Sequence, residues 1–234
     1  MRIALSLFCL LTLMLSSTAQ SASEVATEIT RFYKSYTRAG AVDYAAISQN
    51  PEALRDLTNS IAHADVAVMK GNEKKAFLIN AYNISVIDGV MKHYPVDSPM
   101  DIKGFFDSKR HVVGGEKYSL NELEKQVLYK LYPDERLHFA LVCAARGCPP
   151  LYSRAFTAAG LEKQLDQVTA TALKNNKFIR YDKEQNAVLL PKIFEWYMED
   201  FGELGEYLFR KTGGRIPAGV EIDFYEYDWS LNQA

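Results

Sequence analysis

Two cysteines stand close together near the middle of the chain, in Cys143-Ala144-Ala145-Arg146-Gly147-Cys148-Pro149-Pro150. A thiol becomes a nucleophile only as its thiolate, so the question is what in this stretch lowers a cysteine pKa. Proline is favoured at the first position of a helix, so Pro149-Pro150 lets Cys148 cap a short helical turn running through Arg154. A thiol there meets the positive end of a helix dipole, and Arg146 lies two residues away; both favour the thiolate. His138, five residues before Cys143, is a base able to take a thiol proton near neutral pH. Glu124, upstream on a separate element, is an acid that could orient that histidine. The bland alternatives are a structural disulfide between Cys143 and Cys148, a satisfied structural histidine and a solvated helix glutamate.

Other chemistries fit less well. His138, Cys143, Cys148 and Glu124 resemble a partial soft-metal set, but the spacing lacks the two-residue gap of zinc ligand pairs, so no metal or other cofactor is expected. The four residues between the cysteines also depart from the tight pair of thioredoxin-like redox sites. Asn80 and Asn83 lie on an otherwise apolar helix, where a buried amide must be hydrogen-bonded. They either pin a neighbouring backbone or contact a ligand, and with Arg146 they are the candidate ligand-binding residues. Phe194, Trp196, Tyr197 and Phe201 could be taken for a sugar-binding stripe, but their helical spacing makes most of them core.

The elements that must hold these residues follow from periodicity. One apolar face, Val25, Ile29, Phe32, Tyr33 and Tyr36, predicts a helix over 23–39 stopped by Gly40, and Pro51 opens a second helix to about Ala64. The longest helical pattern, over 73–92, is apolar on most sides and reads as the central helix. A hairpin over 110–119 turns at Gly114-Gly115, and Ser119-Leu120-Asn121-Glu122 is a capping box that starts a helix to about Leu131. Residues 136–143 read as a short strand. Its alternation puts His138 and Cys143 on opposite faces and leaves Cys148, beyond the turn, free to reach either. Residues 144–151 form a loop, 158–175 a helix, 177–181 and 187–190 strands, 192–201 and 203–211 helices, and 221–229 an extended aromatic segment. Helices outnumber strands, and the strands come in hairpin-like pairs. The expected fold is therefore α+β, a helix-rich single domain with a small, mostly antiparallel sheet.

The chain opens with Met1-Arg2, an apolar run from Ile3 to Leu15 and a small-residue stretch to Ala22, the order of a cleavable secretory signal. Thirteen apolar residues fall short of the roughly 20 of a membrane-spanning helix, and Cys9 lies inside the run, so no stable membrane anchor is expected. We therefore expect a signal over residues 1–22, with cleavage after Ala19 or Ser21 fitting best, one domain over 23–234, and a periplasmic or secreted location. Lysine and arginine total 27 against 29 acids, with no basic cluster, which gives nucleic acid no footprint. No repeat or low-complexity tract divides the chain.

Several longer segments resemble the family known as domain of unknown function 547. They are Ala76-Phe77-Leu78-Ile79-Asn80-Ala81-Tyr82-Asn83, Ser119 to Glu124, Arg136 to Leu151 with His138 and both cysteines, Lys192 to Tyr197 with Asp200-Phe201, and Tyr227 to Asn232. The likeness runs from about Lys75 to Asn232. It implies a cysteine-peptidase-like or transglutaminase-like fold in which Glu124, His138 and a cysteine form a triad. Asn121, where the family often has an acid, and Ala145-Arg146 are mild departures. Three functions follow as expectations. One is a cysteine-dependent acyl-transfer or hydrolytic enzyme acting on a peptide or small thiol compound. The second is a non-catalytic ligand-binding domain stapled by a Cys143–Cys148 disulfide. The third is an interaction protein using Tyr225, Tyr227 and Trp229.

Overall fold

The computed structural model describes residues 20–234; the expected signal run before Gln20 lies outside the described residues. The first helix, α1 (Ala22–Tyr36), begins at Ser21, which forms a capping box with Glu24. It buries Val25, Ala26, Ile29, Phe32 and Tyr33, the face its spacing dictates. A two-residue ribbon, β1 (Thr37–Arg38) and β2 (Ala41–Val42), then turns at Gly40. Helices α2 (Tyr44–Gln49) and α3 (Glu52–His63) follow, and then α4 (Gly71–Met91). Helix α4 is buried along nearly its whole length and packs against α1, α2 and α3, which is why its sequence is apolar on most sides.

The hairpin β3 (His111–Val113) and β4 (Glu116–Tyr118) forms as its glycines predict. Ser119 and Glu122 then exchange hydrogen bonds at 2.8 and 3.2 Å, a reciprocal cap. The helix so started is widened into π turns over Glu122–Tyr129, and it packs on α4 with Leu123, Glu124 and Leu128 buried. Such turns are rare and concentrate at functional sites.

After α6 (Leu161–Lys174) comes a three-stranded sheet of β5 (Arg180–Asp182), β6 (Ala187–Pro191) and β7 (Glu221–Tyr225). Strand β5 pairs antiparallel with β6, whereas β7 joins β6 in parallel, from Ala187 opposite Glu221 to Pro191 opposite Tyr225. Between β6 and β7 lie the short helices α7 (Ile193–Trp196), α8 (Met198–Phe201) and α9 (Leu204–Lys211). The fold is α+β, helix-rich with small antiparallel and mixed sheets. Among the described residues no helix is long and apolar enough to cross a membrane.

Two local expectations around the cysteines differ from the structure. Residues 136–143 are not a strand: Leu137–Ala140 form a helical turn, α5, packed on α6. The four residues Leu137, His138, Phe139 and Ala140 are all buried, and a run buried on every side has no alternation to tell strand from helix. No helix follows Cys148 either. Residues 149–152 are irregular and are tied back by Leu151 N–H donating to Gly40 O at 3.1 Å. The helix-dipole argument for Cys148 therefore does not apply.

Candidate functional site

Helix α4, the π-turn helix, α5 with the loop after it, α7 and the C-terminal segment converge on one cleft of about 400 Å³. Glu124, His138, Cys143 and Cys148 all line it, together with Tyr82, Trp196, Tyr197, Tyr227 and Trp229.

Glu124 is nearly buried, at 9% exposure. Tyr82 donates to its Oε2 at 3.1 Å and Tyr197 to its Oε1 at 3.0 Å. Burial pushes its carboxyl above the ordinary carboxylate value, and the two phenols and nearby Lys125 only partly offset this. It is not the partner expected for His138.

That partner is Asp200, at the exposed end of α8, whose Oδ2 lies 2.8 Å from His138 Nε2. Tyr129 Oη approaches the same nitrogen at 2.6 Å and also lies 3.3 Å from Asp134 O. A carboxylate can only accept, so the network assigns the Nε2 proton to Asp200 and lets Tyr129 donate to Asp134 O. The Nδ1 nitrogen then carries the lone pair. The ring is 4% exposed and packs against Tyr197, Tyr129 and Phe201, with centroids 4.0, 5.0 and 5.3 Å away. Burial lowers its pKa below the usual 6.5, against the opposing pull of Asp200.

Cys143 and Cys148 are joined in a disulfide with their Cα atoms 6.3 Å apart. Both are half-buried in the cleft wall. Two donors converge on Cys148 Sγ: the Cys143 N–H at 3.0 Å and the Tyr227 hydroxyl at 3.1 Å. Tyr227 Oη also lies 3.0 Å from Cys143 Sγ. Gly147 permits this approach, because a Cβ there would meet the Tyr227 ring at 2.9 Å.

The other candidate residues hold the cleft from outside. Asn80 clamps Phe156, accepting from its N–H at 2.9 Å and donating to its carbonyl at 2.8 Å. Asn83 does the same across Ala140 O and Val142 N, at 2.9 and 3.0 Å, and so fixes the strand-like stretch that ends in Cys143. Neither lines the cleft. Arg146 is exposed; its N–H donates to Ser230 O at 2.8 Å and its Nε to Leu231 O at 3.3 Å. The amides therefore take the backbone-pinning role, and Arg146 joins the cysteine loop to the C-terminal segment.

The aromatic residues divide. Phe194 and Phe201 are core, whereas Trp196 and Tyr197 face the cleft. Tyr225 donates to Phe178 O and stacks under Arg180, while Tyr227 and Trp229 turn into the cleft and do not form an outward patch with it. Among the described residues no three histidine, cysteine, aspartate or glutamate side chains are grouped to hold a metal ion. Asp200 and Tyr129 were the partners not anticipated. Nothing local in the sequence links Asp200 to His138, 62 residues away.

Residues 66–171 match the family described as "Protein of unknown function, DUF547", a span that contains Tyr82, Glu124, His138 and both cysteines. No curated protein and no solved structure matches the chain.

Proposed function

Taking residues 66–171 as a domain of the DUF547 family, we propose that the protein is an exported, cysteine-dependent acyl-transfer or hydrolytic enzyme whose nucleophile is Cys148. The observation that carries this reading is the convergence of the Cys143 N–H and the Tyr227 hydroxyl on Cys148 Sγ, inside the cleft that holds His138 and Glu124. Hydrogen bonds to a charged form favour it, so the same two donors stabilise the Cys148 thiolate once the pair is reduced.

The bonded sulfurs are the resting form. An external dithiol supplies two electrons and two protons, becomes a disulfide itself and leaves Cys143 and Cys148 as thiols. The Cys148 thiolate then attacks the acyl carbonyl; a C–S bond forms, and the bond to the leaving group breaks. His138, protonated on Nδ1 by the Cys148 thiol, returns that proton to the leaving group. Water or another acceptor attacks the thioester, its proton passes to His138, and the thiolate is released. Asp200 keeps the imidazole in the tautomer this requires.

Two features favour a second reading, a ligand-binding domain with a structural disulfide. The sulfurs are bonded to each other, and Glu124 bonds two tyrosines and not His138. Trapping separates the two readings. Reduced protein incubated with an activated acyl thioester should gain the acyl mass at Cys148, and Cys148→Ser should gain none. An unmodified protein after full reduction would favour the binding domain.

A further inference from the structure

The cleft carries a recognition surface that thiol chemistry does not use. Its walls are aromatic: Tyr82, Phe106, Trp196, Tyr197, Tyr227 and Trp229. Trp196, Tyr227 and Trp229 stand 4.7 to 6.0 Å apart in a cluster at the mouth, and Trp196 is left 49% exposed, an indole with no core to fill. Stacked aromatics on a cleft wall also suit a sugar, but a sugar needs free donors and acceptors for its hydroxyls.

Most of those groups are already engaged here. Tyr82 and Tyr197 donate to Glu124, Tyr227 bonds the sulfurs, Asn121 bonds Asp107, and His138 bonds Asp200. Beyond the His138 Nδ1 lone pair and the indole N–H groups, what the lining still offers a ligand is π faces and the acids Asp107 and Glu124 against the single cation Lys125. That is the chemistry of an ammonium site.

We infer that the cleft binds its substrate through an alkylammonium group, held against the faces of Trp196 and Trp229 and directed toward Glu124. The inference rests on this cleft being the functional site, and it narrows the substrate to a peptide or small molecule that presents a primary amine.

The sign of the pH dependence follows from the surroundings of Glu124. Tyr82 on α4, Tyr197 beyond α7, Tyr129 and Tyr227 are all held above the ordinary phenol value by burial and stay neutral. Lys125 and Asp107 also line the cleft, and Asp200 stands against His138. Burial disfavours the Glu124 carboxylate, and an incoming cation restores it, so binding expels a proton and tightens as pH rises. Protonation of His138 at low pH repels a cation and acts with the same sign.

An NMR titration of the oxidised protein with n-butylammonium, n-butanol and butyrate tests the inference without any thiol chemistry, so it can fail while acyl trapping at Cys148 succeeds, or the reverse. The ammonium should bind about tenfold tighter than either isostere, shift the Trp196 and Trp229 indole resonances, and bind more tightly at about pH 8 than at about pH 5. Trp196→Ala, an exposed position that leaves the core intact, should weaken binding about fivefold. Glu124→Gln should weaken it about tenfold and leave only the shallower pH dependence of His138. Butanol or butyrate binding as well as the ammonium, affinity that falls with rising pH, or no binding by any of the three would overturn the inference.

Discussion

His138 shows why a residue's partners matter more than its type. Its ring is buried, which disfavours the imidazolium, yet Asp200 stands at 2.8 Å and favours it. The folded-state pKa lies below the unfolded 6.5, so the folded protein binds fewer protons at this site than the unfolded chain. The stability this site contributes is complete above about pH 6.5 and is lost as pH falls through that value toward the folded pKa. Asp200→Asn removes the opposing pull. Nitrogen-detected NMR should then find the His138 pKa lower still and the Nε2–H tautomer no longer dominant. In Glu124→Gln the tautomer should be unchanged, since Glu124 bonds Tyr82 and Tyr197 and not the imidazole. A tautomer that follows Glu124 and ignores Asp200 would reverse these assignments. From the sequence, Glu124 was the nearer acid. Pairing it with His138 took an acid from the capped helix upstream, whereas the contact comes from α8, 62 residues on.

At the scale of elements, Asn83 is a rivet. Its side chain closes two hydrogen bonds across the α5 exit, and the stretch it holds runs directly into Cys143. Asn83→Ala leaves Ala140 O and Val142 N buried without partners, and should destabilise the protein by about 3 kcal/mol in urea denaturation. Loss of under about 0.5 kcal/mol would mean that the backbone finds other partners. Gly40 is the matching contact from the opposite side. Its φ of +84° and the 2.3 Å that would separate a Cβ there from Pro150 Cβ admit no side chain, and this lets the β1–β2 turn seat the cysteine loop. The helices were legible because their apolar faces repeat at helical spacing, and the capping box at Ser119 announced its helix directly. The π turns beyond it were not legible, since nothing in the side-chain pattern distinguishes them from an ordinary helix. The strand expected over 136–143 failed for a related reason, because α5 is buried on all sides and offers no alternation to read.

The whole molecule closes the cleft with segments far apart in sequence. Asn232 N–H donates to Ala144 O at 2.9 Å, Gly147 N–H to Asp228 O at 2.8 Å, and Val42 N–H to Asn232 O at 2.9 Å. The C-terminal strap thus ties the cysteine loop to the β1–β2 ribbon, and Tyr44 Oη anchors it by donating to Asn232 Oδ1 at 2.8 Å. The family match ends at residue 171, so Trp196, Tyr197, Tyr227 and Trp229 complete the cleft from beyond it, and Asp200 reaches His138 from there too. Deleting residues 226–234 should leave the helical core folded by circular dichroism, while the Arg146 and Gly147 amides lose their protection from hydrogen exchange. Retained protection would show that the loop holds itself.

The central claim is that Cys148, once the disulfide is reduced, is the nucleophile held as a thiolate, and its most direct test is the pH profile of alkylation of each cysteine in the reduced protein, resolved by mass spectrometry. We predict that Cys148 reacts faster than Cys143 with a midpoint well below the free-thiol value of about 8.5, and that Tyr227→Phe raises that midpoint by removing one donor. A Cys148 midpoint at or above about 8.5, or a pair that stays bonded in excess dithiol, would contradict the account and leave a disulfide-stapled binding domain.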